Sequence, residues 1–303
     1  MSYLRLYKED LMFTLIKTIL LFLLLFITYN EDSFAVDTIL INHPLSGQDT
    51  RYEYPQKLLD RILSVTSEGN RYKLISNGIS MSRTRALTSL IEGKNLHVMA
   101  EAPKPDWNEK LLVVRIPIRK GIQGFRLFLT KNEHKELLSQ INTFEKFRSI
   151  PTGSGEQWST TSVLQHSGFN VVKGIDYEGL FGMLMRNRFI TFGRGINEIF
   201  DEYEQRHSAL NDLTIDERFV LYIPLPTYFF VTPTQPELRN RIELGLQKLI
   251  KTGEFDQIFQ AEFGELIKRA NLDKRIKFSI QNPNLSKEDP LLVKEYWFSD
   301  SHQ

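Results

Sequence analysis

The chain has 303 residues, with 38 Lys and Arg against 37 Asp and Glu, a net charge of +1, and no cysteine. So even a balance offers no basic surface for nucleic acid or for an anionic membrane face, and the missing cysteines exclude a disulfide framework and thiolate metal sites. With 41% hydrophobic residues, the length supports one large domain or two lobes with cores of their own.

The N-terminus reads as a secretory signal. Thr18–Ile27 is an unbroken apolar run behind Lys17, and Ser33-Phe34-Ala35 offers a small-x-small cleavage site before Val36. Residues 1–35 are therefore expected to be a leader. The competing reading is a membrane anchor over Leu11–Ile27, with Met12 as an alternative start.

Strand and helix patterns then alternate. Thr38–Asn42 has strand character, Tyr54–Val65 helical spacing, and Tyr72–Ile75 is a second strand. Ser82–Ile91 follows as a helix, with Ser82 as N-cap and Gly93 as its stop. Leu96–Ala100 is a third strand, and Leu111–Ile118 and Phe125–Thr130 are two more, separated by a turn at Lys120-Gly121. Leu137–Phe147 and Gln157–Ser167 read as helices, with a glycine-rich loop at 153–158 between them. Phe169–Lys173 and Phe189–Phe192 read as strands, each followed by a helix, at Tyr177–Arg186 and Ile196–Gln205. Arg218–Ile223 and Tyr228–Thr232 complete the strands. This rhythm argues for βαβ units.

The most specific segment is LRNRIELGLQKLIKTGEFDQIFQAEFG at 238–264. Leu238, Ile242, Gly245, Leu246, Leu249 and Ile250 form one apolar stripe. Gly253 is placed to end the helix in a left-handed conformation. Phe255, Ile258, Phe259 and Phe263 then share a face of a short second helix that Gly264 closes. This unit resembles the C-terminal signature of bacterial extracellular solute-binding proteins of family 3. The segments RALTSLIEGKNLHVM, LLVVRIPIRKGIQGFRLFL, YEGLFGMLMRNRFITFGRGINEIF and YFFVTPTQPEL extend the resemblance over the chain beyond the leader, and the RIPI-x-K-G-x-x-G-x-R-L-F-L pattern is similar to a poorly characterised subgroup.

The resemblance implies an α/β chain with the two-lobed type II periplasmic-binding fold, two open, mostly parallel sheets joined by a two-strand hinge. Lobe 1 would comprise residues 36–124 and 224–303, with a tail from Ala270 strapped over it, and lobe 2 residues 125–223. It further implies a monomeric periplasmic protein that closes on a small polar or charged, amino-acid-like solute. An inner-membrane permease of the ABC type, or a sensor protein, would be its partner. No cofactor, metal or nucleic acid is expected.

Receptors of this kind hold an α-amino acid with an Arg of lobe 1, an Asp of lobe 2 and flanking aromatics. Here Pro103 and Trp107 stand where the Thr and Arg of the T-x-x-x-R motif are expected, and Thr191 where the Asp is. Both departures speak against an ordinary α-amino-acid ligand. The candidate ligand residues are Arg51 and Tyr54 after the first strand, Arg83 opening the second helix, and Glu101 ending the third strand. Trp107 and Trp158 join them as stacking platforms, and Arg194 between Gly193 and Gly195 as the charge of lobe 2. Met81, Leu180, Phe181 and Met183 read as core. An enzyme would have to use Glu101, Glu178 or His43 as its acid or base. The six histidines form no H-E-x-x-H pair, and no G-x-S-x-G elbow occurs, so a binding protein is expected, for transport or alternatively for signalling.

Overall fold

A computed structural model describes residues 15–18, 36–44, 49–67 and 72–299. The chain divides into a small unit, residues 1–37 with 68–73, and a large one, residues 38–67 with 74–303. In the small unit residues 15–18 are helical; the cleavage site and most of the leader read over 1–35 lie outside the described residues. No helix among the described residues is long and apolar enough to cross a membrane.

Two sheets are built in succession. The first takes β1 (Asp37–His43), β2 (Tyr72–Ser80), β3 (Val98–Glu101) and β4 (Leu112–Val114), and much later β11 (Tyr228–Val231), in the order β2-β1-β3-β11-β4. β1 and β3 run parallel, while β11 returns antiparallel between β3 and β4, with Phe230 opposite Met99 on one side and Val113 on the other. The second sheet contains β5 (Phe125–Lys131), β6 (Thr152–Gly155), β7 (Val171–Gly174), β8 (Thr191–Gly195), β9 (Leu213–Ile215), β10 (Phe219–Tyr222) and β12 (Ile276–Ser279). Its order is β12-β10-β5-β8-β6-β7, with β9 also pairing β5. Both sheets are mixed, because β5 and β11, which carry the chain across and back, each run against their neighbours.

The helices are α1 (Glu53–Ser64), α2 (Arg83–Glu92), α3 (Pro105–Lys110), α4 (Lys135–Ser139), α5 (Phe144–Ser149), α6 (Ser159–His166), α7 (Tyr177–Met185), α8 (Ile196–Glu204), α9 (Pro236–Lys251) and α10 (Glu254–Ala270). Local signals set many of their ends. The Ser82 side chain accepts from Arg85 N–H, and Gly93 closes α2 at φ 64°; Gly253 separates α9 from α10 at φ 76°. Of the α9 stripe, Leu238, Ile242, Gly245, Leu246 and Leu249 are buried, and Gly245 lets the helix lie against α1, where a Cβ would sit 2.6 Å from Ile62 Cγ2.

The core alternates with the strands. In β5, Leu127 and Leu129 join Phe192, Ile199 and Phe200 on one side of the second sheet, while Phe128 joins Phe147, Phe219 and Leu221 on the other. The first sheet packs Met81, Leu87, Leu90, Met99, Trp107 and Phe230. Two adjacent segments connect the sheets. Ile223 N–H donates to Gly124 O at 3.0 Å, and a Cβ on Gly124 would lie 2.0 Å from Ile223 O.

Several expectations need correction. Residues 153–155 are a buried strand, not a flexible loop. The helix read over Leu137–Phe147 is broken into α4 and α5, because Thr143 caps a new start by accepting from Lys146 N–H. α10 runs straight through Gly264 to Ala270. The tail is not a strap over the first lobe alone: β12 extends the second sheet parallel to β10, and the chain then crosses back, where Phe298 N–H donates to Lys120 O.

Candidate functional site

Strand ends of both sheets converge on a cleft of about 340 Å³, at the small end of the range for small-molecule sites. Arg51, Tyr52, Met81, Arg83 and Glu101 line it from the first sheet's side, and Trp158, Tyr177, Arg194 and Glu198 from the second's. Arg119, Gln123 and Arg126 lie along the crossing segments between them. In open α/β sheets the loops after the strand C-termini form such a crevice, because the backbone there is not committed to the ladder.

The wall on the second sheet's side is a buried charge network. Arg194, 2% exposed, donates from Nε and Nη2 to both oxygens of Glu202, each at 2.6 Å, and its Nη2 lies 3.3 Å from Glu198. Tyr177 Oη donates to the same Glu202 at 2.8 Å. Arg126 donates to Gly193 O at 2.6 Å and Gln123 O at 3.1 Å, and lies 3.6 Å from Glu198. Burial pushes the Glu198 carboxyl up. The guanidiniums of Arg194, Arg126 and Arg51 and the Gly195 N–H outweigh burial and hold it at about 2. Burial dominates at Arg126, bringing it down to about 10. Trp158 covers the network, stacked 6.0 Å from Phe192 with the Arg194 guanidinium 4.6 Å from its ring. Gly155 makes room for it, since a Cβ there would meet the indole at 2.4 Å.

On the first sheet's side, Arg51 forms a fork with Asp49 through Nε at 2.6 Å and Nη2 at 2.9 Å, and stacks 4.6 Å over Tyr177 of the opposite wall. Arg83 pairs with Glu101, donating from Nε at 2.7 Å, while its Nη1 crosses to Ser159 Oγ at 3.0 Å and Gln157 O at 3.2 Å. Ser159 Oγ also donates to Ala102 O at 3.2 Å. These bonds join the first sheet's side of the cleft to the second's.

Of the residues picked from sequence, Arg51, Arg83, Glu101, Trp158 and Arg194 come together on the cleft wall. Tyr54 does not: it is 4% exposed, donates to Ile118 O at 2.8 Å and packs on Phe263. Trp107 is also core, edge-on to Phe230 with centroids 5.2 Å apart, because α3 turns it under the first sheet. Glu101 is tied to Arg83 and to the Ala102 N–H, and Arg194 to Glu202, so neither is the open charge the sequence suggested. Sequence reasoning missed Arg119, Arg126, Tyr177, Glu198 and Glu202. The i, i+4 and i+8 spacing of Arg194, Glu198 and Glu202 was the available signal for the last two, since α8 begins right after Gly195 and brings them back over Arg194.

No protein-family profile and no curated relative matches the sequence. Solved structures do match. An ancestral arginine-binding protein bound to arginine superposes with a TM-score of 0.53 at 14% identity, covering 75% of this chain and 98% of its own. A structure from work on glutathione import in Gram-positive bacteria and the cystine ABC importer of Streptococcus mutans gives 0.53 at 13%, covering 76% and 96%. The periplasmic binding protein of Salmonella typhimurium with high arginine specificity gives 0.52 at 12%, covering 75% and 100%. At these identities the likeness is one of fold, and the fold is that of the two-lobed periplasmic binding proteins.

Proposed function

We propose that this chain is a periplasmic solute-binding protein that closes its two lobes on a small polar or charged, amino-acid-like solute and presents it to an ABC-type permease. The observation that carries the reading is the cleft: buried, charged and aromatic side chains from both sheets converge on it, and Arg83 and Ser159 bond across it. A site assembled from two lobes binds most tightly when they are together, and that differential affinity is what drives closure. The connecting segments at Gly124 and Ile223 supply the hinge.

Chemistry on a bound solute is not part of this reading. Glu101 is engaged by Arg83, and Glu198 is held ionised far below neutral pH by its guanidiniums, which leaves Glu198 unsuited to act as a general acid.

A thermal-shift panel of amino acids, short peptides, small carboxylates, polyamines and peptidoglycan fragments tests it. Ligand at a hundredfold excess over Kd stabilises the native state by roughly 2.7 kcal/mol, so one solute class is expected to raise Tm. A flat response to every class would remove the receptor reading.

A further inference from the structure

Of the guanidiniums on the cleft wall, Arg119 alone has no carboxylate partner among the described residues. Arg51 is taken up by Asp49, and Arg194 by Glu202, each through two hydrogen bonds. Glu198 faces Arg126 and also reaches Arg194. Two further pairs, Arg83 with Glu101 and Arg206 with Glu178, are neutral in themselves. Arg119 is left over. It is 6% exposed and lines the cleft, yet among the described residues it has only neutral partners, donating from Nη1 to Thr227 Oγ1 at 3.4 Å and from Nη2 to Arg51 O. Its Nε–H meets no acceptor among the described residues. A guanidinium taken out of water without a counter-charge is costly, and burial depresses its pKa against the attraction of Glu198.

We propose that Arg119 is the anion subsite of this cleft, and that the solute carries a carboxylate that docks against its guanidinium. The inference rests on the cleft being a solute site. It relocates the anion-holding arginine from the third-strand loop, where Trp107 is packed into the core, to the segment that crosses between the lobes. Gln123 stands beside it, its Oε1 accepting from Thr227 at 2.6 Å, with its amide nitrogen as a further donor. The inner carboxylates are already taken: Glu101 is bonded to Arg83 and Ala102, Glu198 is surrounded by Arg194, Arg126 and Arg51, and Glu178 pairs with Arg206, while Glu156 and Asp176 are exposed. A planar fork beside an amide suits a carboxylate, which accepts along two parallel directions.

The test is a calorimetric titration of the full chain with the amino acids, short peptides and small carboxylates that respond in the thermal panel, each paired with its carboxamide. The acids are expected to bind and the amides to bind about 10- to 100-fold more weakly, the loss that one charged hydrogen-bonding contact carries. Arg119→Met is expected to bind acid and amide alike, with a Tm no lower than that of the parent chain without solute. Amides that bind as tightly as acids overturn the proposal, as does an Arg119→Met chain that still prefers the acid. A panel in which only neutral or cationic solutes bind also overturns it while leaving the receptor reading intact; a panel in which nothing binds removes both. Should Arg119→Met fail to fold, the acid and amide comparison on the unaltered chain still decides.

Discussion

At the scale of single residues, the buried charges and the buried aromatics divide the work. Trp107 is 2% exposed against Phe230 and Met81, so Trp107→Ala should cost about 3–5 kcal/mol of stability in a denaturant melt. If the change cost binding and left stability untouched, Trp107 would have to face the cleft after all. Glu198 sets an acid limit. Its carboxyl is held at about 2 in the fold against an ordinary 4.5. A depressed carboxylate contributes stability that is complete above the unfolded value and lost as pH falls from there toward the folded value. Stability should therefore drop between about pH 4.5 and 2, and Glu198→Gln should flatten that slope in urea melts taken across the range. An unchanged slope would place the acid sensitivity elsewhere. The sequence showed Arg194 as a charge between two glycines but not its partners, because pairing depends on where the first turns of α8 come to rest.

At the scale of elements, local chemistry was legible and long-range packing was not. The Ser82 cap and the Gly93 and Gly253 stops could be read because a cap is settled within four residues. β6 could not. Its Gly-Ser-Gly composition mimics a loop, whereas the glycines are there because a Cβ on Gly153 would meet Phe189 at 2.3 Å and one on Gly155 would meet Trp158 at 2.4 Å. Gly264 was misread in the opposite sense. It lies inside α10, where an added Cβ would meet only the flexible Gln260 side chain at 3.2 Å. Gly264→Ala should therefore stabilise the chain by about 0.5–1 kcal/mol, the usual gain of Ala over Gly within a helix; a loss would mean that the glycine ends the helix. The contact between α2 and α6 is a latch, Arg83 joining Glu101 on one wall of the cleft to Ser159 and Gln157 on the other. Arg83→Ala should loosen the closed arrangement, read as faster backbone amide exchange over 157–160, with little change in the exchange of the β5 core. Equal exchange in both chains would show that the latch bears no load.

At the scale of the whole molecule, the alternation of strands and helices, together with the C-terminal unit, was enough to reach the two-lobed α/β plan. The antiparallel return of β11 and the placement of β12 in the second sheet were not in that alternation, since sheet order is a property of the closed fold and not of any window of sequence. The same holds for the site. Arg119 lies in an apolar, strand-like run, RIPIRKG, and nothing local marks it as the guanidinium left without a carboxylate. Its role emerges only when the strand ends of two sheets and the segments between them are brought to one cleft. Small-angle scattering of the chain with and without a saturating solute from the thermal panel tests the central claim of lobe closure most directly. The account predicts that the solute narrows the conformational spread to a single, more compact form, and that an Arg83→Ala chain starts more open and closes to the same endpoint. Identical scattering with and without saturating solute, in both chains, would contradict it.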